Sequence, residues 1–314
     1  MTRKNIFLIT TLFLIIILIN GVDFIDSRLM LTKTSPENET LGISVSENLI
    51  DEPIHFLEVE YFEPGNFYRG INTTGVGETA QQSKMQGGIV PHHLLASRLL
   101  SDFFSRLNQQ YPESIVLLGP NHHHAGKGKI LTTTRGWETP FGQIHSNTQI
   151  TQKLIAGSIV QEDNYTLQKE HSIAGMMPYL KYYLPETKVV PIILMSSLDN
   201  QDAKDLGILL ASEILNENVV LVASVDFSHY LNAEESLIND TLTEQLIKEF
   251  DTESLFNLDN SYLDSAPSIS VLLNAMRELK ATDLEIIDHT NSALLLGGHP
   301  QQVTSYFEMT FTVP

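Results

Sequence analysis

One continuous stretch decides the fold: Ser114-Ile115-Val116-Leu117-Leu118-Gly119-Pro120-Asn121-His122-His123-His124. Its first half has the apolar character of a strand that is buried on both faces, and a polar, histidine-rich loop follows at once. Strands of the same kind are predicted at 88–91, 189–195 and 219–225. Helices are predicted between them at 94–107, 172–183 and 202–216. Apolar strands that alternate with helices predict an α/β protein with a mostly parallel central sheet flanked by helices.

The remainder of the chain extends this pattern toward the C-terminus and departs from it at the N-terminus. Helices at 234–250 and 268–280 and strands at 284–287 and 303–312 complete the predicted domain at 87–314. Residues 26–86 are polar and irregular, which predicts a linker and an extension that lies over the main domain. Residues 6–19 are almost uninterruptedly apolar and follow Arg3 and Lys4, so residues 1–25 are predicted to be a signal or a membrane anchor. The main domain would then lie outside the cytoplasm.

Composition excludes several classes of protein. The 314 residues include 19 Lys and Arg against 38 Asp and Glu, a formal net charge of −19, which disfavours a nucleic-acid partner. There is no cysteine, so thiolate nucleophiles, disulfides and Cys-ligated metals are excluded. Any metal must be bound by histidine, carboxylate or carbonyl groups. Phosphate-loop spacing, the Gly-x-Ser-x-Gly elbow and His-Glu-x-x-His are also absent from the sequence.

Histidines gather where the predicted strands end. Eight of the 11 lie in such loops or near the last strands, namely His92, His93, His122, His123, His124, His171, His229 and His289. Ligands of open α/β sheets bind at the carboxyl ends of the strands, and neutral imidazole is the commonest metal ligand. The pattern therefore indicates a shared metal site. Simpler interpretations remain open: the His-His-His run could be solvated, Asp226 could cap a turn, and Glu170-His171-Ser172 could begin a helix.

The order of these motifs resembles the Memo family, whose prokaryotic members are called AmmeMemoRadiSam system protein B. The matching motifs are Pro91-His92, Leu118 to His123, Thr139 to Gly142, Glu170 to Ser172, Val190 to Ile192, and Ser224 to Tyr230. The family is similar in fold to class III extradiol dioxygenases, which bind non-haem Fe(II) with two histidines and a carboxylate. The resemblance thus implies a dioxygenase-like α/β fold and a divalent metal cofactor, with Fe(II) as a candidate.

The resemblance also implies roles for individual residues. His92 and His123 match metal ligands, with His122 adjacent, and His229, Asp226, Glu170 and His171 match residues that line the reactive pocket. Two features depart from the family. Pro-His-Ala-Gly-Tyr is replaced here by Pro91-His92-His93-Leu94-Leu95, and the stretch 291–296 lacks the cysteine that animal members supply as a third ligand near their C-terminal end. Among the motif residues, Asp226 is the nearest-placed anionic candidate to replace this cysteine as the third ligand.

Two functional hypotheses follow, and the sequence leaves both open. The first is a metal-dependent redox enzyme that acts on an unknown small molecule. The second is a non-catalytic protein that binds a metal or ligand, or a scaffold that works with a radical-SAM protein, as the family's system name implies.

Overall fold

A central mixed sheet organises the part of the chain that the computed structural model describes, which is residues 55–73, 84–214, 217–298 and 300–314. The predicted signal or anchor at 1–25 lies outside these residues. With strands numbered in chain order, the spatial order across the sheet is β10 (Asp283–Asn291), β11 (Ser305–Thr312), β2 (Met85–Val90), β9 (Val219–Ser224), β3 (Ser114–Pro120), β8 (Lys188–Leu194), β4 (Ile130–Thr132) and β7 (Gln161–Glu162). A small second sheet contains β1 (Leu57–Glu58), β5 (Trp137–Thr139) and β6 (Gly142–Ile144).

The middle of the large sheet is parallel, which confirms the predicted fold class. Strands β2, β9, β3 and β8 pair in parallel. Antiparallel pairs occur nearer the edges, where β11 pairs with both β10 and β2 and where β4 pairs with β8. The two last strands are joined without a long crossover helix, and such a connection suits an antiparallel pair.

Helices cover both faces of the sheet. They are α1 (Pro64–Thr73), α2 (Ser97–Asn108), α3 (Thr148–Ala156), α4 (Asn164–Lys169), α5 (His171–Ala174), α6 (Met177–Tyr183), α7 (Asn200–Ile214), α8 (Ala233–Lys248), α9 (Thr252–Leu255), α10 (Ala266–Glu278) and α11 (Ser292–Leu296). Side chains of β3 alternate between two cores. Val116 and Leu118 belong to the core that contains α7 and α10, whereas Ile115 and Leu117 belong to the core that contains α2 and α6. This alternation is what a strand covered on both faces requires.

Two predicted helices are divided in the structure. The helix predicted at 94–107 begins as a 3₁₀ turn at Leu94–Ala96 and continues as α2. The helix predicted at 172–183 is split into α5 and α6 around Gly175. Pro178, in the first turn of α6, has no backbone N–H to donate to the preceding turn, so a continuous helix would lose a hydrogen bond there.

The segment before the large sheet packs on the main body. Phe67 of α1 is buried, and its ring stacks on that of Phe141 with the centroids 4.8 Å apart. The compact unit to which these residues belong runs from Glu52 to Pro314. Among the described residues, no helix combines the length and the apolar character needed to cross a bilayer.

Candidate metal centre

Loops from five parts of the chain meet beyond the carboxyl ends of the central strands. His92 follows β2, His122 follows β3 and Asp226 follows β9, while Asp264 precedes α10 and Glu170 precedes α5. The three strands are neighbours in the parallel part of the sheet, so their ends open onto the same edge. The predicted strand-end motifs are therefore brought together.

His92 is buried and presents one nitrogen to two carboxylates. Its Nε2 atom lies 3.1 Å from Oδ2 of Asp264 and 3.5 Å from Oδ2 of Asp226. The other nitrogen, Nδ1, lies 3.2 Å from the carbonyl oxygen of Ser224, which can only accept a hydrogen bond. Nδ1 therefore carries the hydrogen, and in the neutral ring Nε2 keeps a free lone pair. This is how a metal-binding histidine is normally oriented.

His122 is arranged in the same way. Its Nδ1 atom lies 2.8 Å from Oε1 of the buried Glu170, and its backbone N–H donates to Oε2 of Glu170 at 2.9 Å. Its Nε2 atom lies 3.5 Å from Oδ2 of Asp264. Glu170 thus holds the ring from behind, and the free nitrogens of His92 and His122 face the same carboxylate oxygen.

Asp264 is the site residue that sequence reasoning missed. Its side chain is 5% exposed, and neither carboxylate oxygen receives a hydrogen bond of normal geometry from the described residues. Such an orphaned buried carboxylate is costly unless a cation lies beside it. Its backbone N–H donates to the carbonyl oxygen of Asp226 at 3.0 Å, which fixes the loop. In the sequence, Asp264 only precedes Ser265, the N-cap of α10, so no strand-end pattern marks it.

His171 and His123 extend the cluster toward solvent. The ring of His171 stacks on that of His122, with the centroids 4.2 Å apart and the planes at 27°. Candidate ligand atoms of His92, His122 and His171 lie within 4.8 Å of one another, as do those of a second group formed by His123, Glu170 and His171. A third group comprises His92, Asp226 and Asp264. His123 is exposed and His171 is half-buried.

The remaining predicted residues, Asp226 and His229, differ in their relation to this cluster. Oδ1 of Asp226 accepts the backbone N–H of His92 at 3.0 Å and that of His93 at 3.4 Å, so this carboxylate fixes the first loop. His229 is half-buried, and its Nδ1 atom is buried without a hydrogen-bond partner among the described residues. It belongs to none of the candidate ligand groups found in that part of the chain.

Charge balance in the cluster depends on the histidines. Burial lowers the pKa of His92, but Asp226 and Asp264 outweigh this effect and raise it to about 10. Burial likewise opposes the charge on His122, but its contacts with Asp264 and Glu170 outweigh this effect and raise its pKa to about 9.

The other members of the cluster shift in the opposite direction. Burial favours protonated Glu170, but His122 outweighs it and lowers the pKa of Glu170 to about 2. The pKa of Asp264 is held well below its usual range, chiefly by His92 against the effect of burial. For His171, burial and the neighbouring charged imidazoles lower the pKa to about 4, so this ring is neutral near pH 7.

A cavity of about 390 Å³ opens beside the cluster. His92, His123 and His171 form one part of its wall, and Tyr61 and Glu63 form another. The volume lies within the range of small-molecule sites. The histidine cluster is therefore accessible to a small ligand from this side.

Together, the sheet and the cluster define an α/β protein with a histidine and carboxylate centre at the strand ends, open to a cavity. Residues 67–310 match the family described as Memo-like protein, and the chain belongs to this family. The predicted resemblance is thus confirmed.

Known relatives cover most of the chain. A MEMO1 family protein of Aquifex aeolicus is 29% identical over 241 residues, which cover 74% of this chain and 88% of the relative. A MEMO1 family protein of Pyrobaculum aerophilum is 24% identical over 234 residues, covering 72% of this chain and 83% of the relative. Among solved structures, an uncharacterized protein from Escherichia coli K12 superposes with a TM-score of 0.47 at 14% identity, covering 71% of this chain and 99% of that one. That similarity is too distant to inform function.

Proposed function

We propose that the protein binds one divalent metal ion through Nε2 of His92, Nε2 of His122 and the carboxylate of Asp264. The observation that carries this proposal is the position of Asp264 Oδ2, 3.1 Å from one Nε2 atom and 3.5 Å from the other. Ligand atoms that share an ion at bond lengths of about 2.1 Å are roughly 3.0 to 3.4 Å apart at ordinary coordination angles. The two distances from Oδ2 of Asp264 are close to this spacing.

The charges of the cluster support a divalent ion. Asp226, Asp264 and Glu170 are three buried or nearly buried carboxylates, and raised pKa values keep His92 and His122 protonated near pH 7 when no metal is bound. An ion of charge +2 that displaces these two protons leaves the charge of the buried cluster unchanged. It also supplies the partner that the oxygens of Asp264 lack.

The geometry favours His122 over the neighbouring His123 as the second ligand. His122 points its free nitrogen at Asp264, whereas His123 is exposed and groups with Glu170 and His171. Glu170 supports His122 from the far side, as acceptors behind metal-binding histidines normally do. We assign His123 to the wall of the cavity, and the variants discussed below separate the two alternatives.

The same centre would support a metal-dependent enzyme acting on a small molecule. Two histidines and one carboxylate leave coordination positions open, and this donor set suits Fe(II) as well as other divalent ions. A bound ion would supply Lewis-acid or redox chemistry. The neutral ring of His171 is placed to accept a proton beside it, and Asp226 and Glu170 hold the ligand loops in position. Among the described residues, no contact of His229 indicates a role for it in this chemistry.

Metal titration of the purified protein tests the proposal. After treatment with a chelator, the protein should bind one equivalent of Zn(II), Co(II) or Fe(II), and Co(II) should show absorption bands of nitrogen and oxygen ligation. Oxygen uptake by the Fe(II) protein with catechol-type substrates tests the redox hypothesis separately. A protein that binds no divalent ion in stoichiometric amount would overturn the proposed function.

A further inference from the structure

Apart from its histidines, the described lining of the cavity carries a negative charge and no positive one. Glu63 is the one carboxylate among the described residues that line the cavity, and those residues include no lysine or arginine. Leu94 and Leu95 add half-buried apolar side chains to the same lining. An anionic ligand would meet no compensating side-chain cation other than imidazole, whereas a cationic one would meet a carboxylate.

Glu63 is exposed, and its side chain has one hydrogen-bond partner among the described residues. It immediately precedes α1, and its carbonyl oxygen accepts the backbone N–H of Phe67 at 3.0 Å. The side-chain amide of Asn66 donates to Oε2 of Glu63. Oε1 accepts no hydrogen bond from the described residues, so one oxygen of this carboxylate is available to a ligand in the cavity.

Tyr61 contributes an aromatic ring to the lining of the same cavity. Its hydroxyl donates to the carbonyl oxygen of Lys169 at 3.0 Å, and its ring centroid lies 5.7 Å from that of His171. Lys169 itself is paired with Glu60, so its ammonium group does not neutralise Glu63. A cavity lined by a carboxylate and an aromatic ring is a favourable environment for an ammonium group.

We propose that the cavity binds a small primary amine whose ammonium group pairs with Glu63 and whose body lies against Leu94 and Leu95. The far end of the ligand carries an oxygen donor for the metal, and this orientation rests on the proposed metal site. Tyr61 and Glu63 precede residue 67, where the match to the family begins. The carboxylate proposed to bind the ammonium group thus lies outside the matched residues, whereas Leu94 and Leu95 lie within them.

Three matched probes test the charge preference. They are 4-(aminomethyl)benzohydroxamic acid, benzohydroxamic acid and 4-carboxybenzohydroxamic acid, which share a metal-binding end and differ in the charge at the other end. With the Zn(II)-loaded protein, calorimetry should show the cationic probe binding about 5- to 10-fold more tightly than the anionic one, as attraction and repulsion by one partly exposed carboxylate allow. Equal affinities would overturn the proposal and leave the metal site standing.

Variants assign the preference to Glu63. Glu63→Gln keeps an acceptor for Asn66 and should remove most of the preference, and Glu63→Lys should invert it. Glu58→Gln is the matched control, because Glu58 is exposed, lies outside the lining and carries the same charge. A preference that survives in Glu63→Gln, or that falls equally in Glu58→Gln, would contradict the assignment.

A final experiment tests the amine site independently of the proposed metal site. Ligand-observed NMR with benzylamine and benzoate on the chelator-treated protein measures the charge preference without any metal. Benzylamine should bind, and Glu63→Gln should weaken its binding. If the protein bound no metal, the proposed function would fail and this measurement alone would decide the amine site. Absence of benzylamine binding, or binding unaffected by Glu63→Gln, would overturn it.

Discussion

Oδ2 of Asp264 lies 3.1 Å from Nε2 of His92, although the two residues are far apart in the sequence. His92 follows a central strand, whereas Asp264 stands at the start of a helix. The contact exists because Leu263 forms a β-bridge with Phe227, next to Asp226. The carboxylate of Asp264, which completes the candidate centre, is therefore positioned by a loop that crosses the strand ends.

Removal of a ligand should abolish metal binding. We expect His92→Ala and His122→Ala to lose stoichiometric Zn(II) binding, and Asp264→Asn to weaken it by about 100-fold or more, because a charged ligand is lost rather than an outer partner. Calorimetric titration measures these changes. His124→Asn is the control, since His124 is exposed and Asn tolerates its positive φ of 47°.

The same titration discriminates between the adjacent histidines. His123→Ala should bind Zn(II) with an affinity within about threefold of that of the unmodified protein if His123 only lines the cavity. Loss of a residue that supports a metal ligand would instead lower the affinity by about 10-fold or more. If His123→Ala lost the metal and His122→Ala kept it, the ligand set would instead contain His123, as the sequence resemblance implies.

Loss of the acceptor behind His122 should weaken the centre without destroying it. Glu170→Gln retains one oxygen in place of two, so Nδ1 of His122 and two backbone N–H groups compete for it. We expect a decrease in metal affinity of about 10- to 100-fold. Circular dichroism of the metal-free variant checks that α5, which Glu170 caps, is retained. Unchanged affinity would show that Glu170 does not support the ligand.

Metal binding should release protons near neutral pH. The pKa values of about 10 for His92 and about 9 for His122 mean that both rings are protonated at pH 7.5 in the metal-free protein, and a metal ion must displace both protons. We expect close to two protons released per ion, measured by calorimetry in buffers of different ionisation enthalpy. Affinity should rise as pH increases toward 9. Release of no proton would mean that the ion binds elsewhere.

The metal-free protein should be most stable near pH 6.5. A histidine with a raised pKa stabilises the folded state below its unfolded pKa of 6.5 and loses this effect as pH rises. His92 and His122 should therefore lower the free energy of unfolding by about 1 kcal/mol or more for each pH unit above 6.5. His171, whose pKa is lowered to about 4, acts oppositely and destabilises the protein as pH falls from 6.5 to 4. Urea denaturation at a series of pH values measures both slopes. Saturating Zn(II) should abolish the alkaline decline, and a flat profile without metal would contradict the charge assignment.

Sequence patterns predict the sheet well because the buried strands carry a strong local signal. The runs at 115–118 and 219–223 are apolar throughout, and both belong to central strands. His92, His122 and Asp226 are found at strand ends for the same reason. Asp264 is not found in this way, because its role depends on the path of the loop between two helices. No local sequence pattern indicates that path. The choice between His122 and His123 also depends on the direction of each ring in the loop, and spacing alone does not determine it.

Asp226 joins the loops of the centre through the protein itself. Its side chain accepts the backbone N–H of His92, and its carbonyl oxygen accepts the backbone N–H of Asp264. These bonds join two of the loops that carry the proposed ligands, so we expect the loops to keep this arrangement in the metal-free protein. Such a protein can acquire its metal after synthesis. The compartment in which the folded chain resides, rather than the one in which it is made, would then decide which ion it carries.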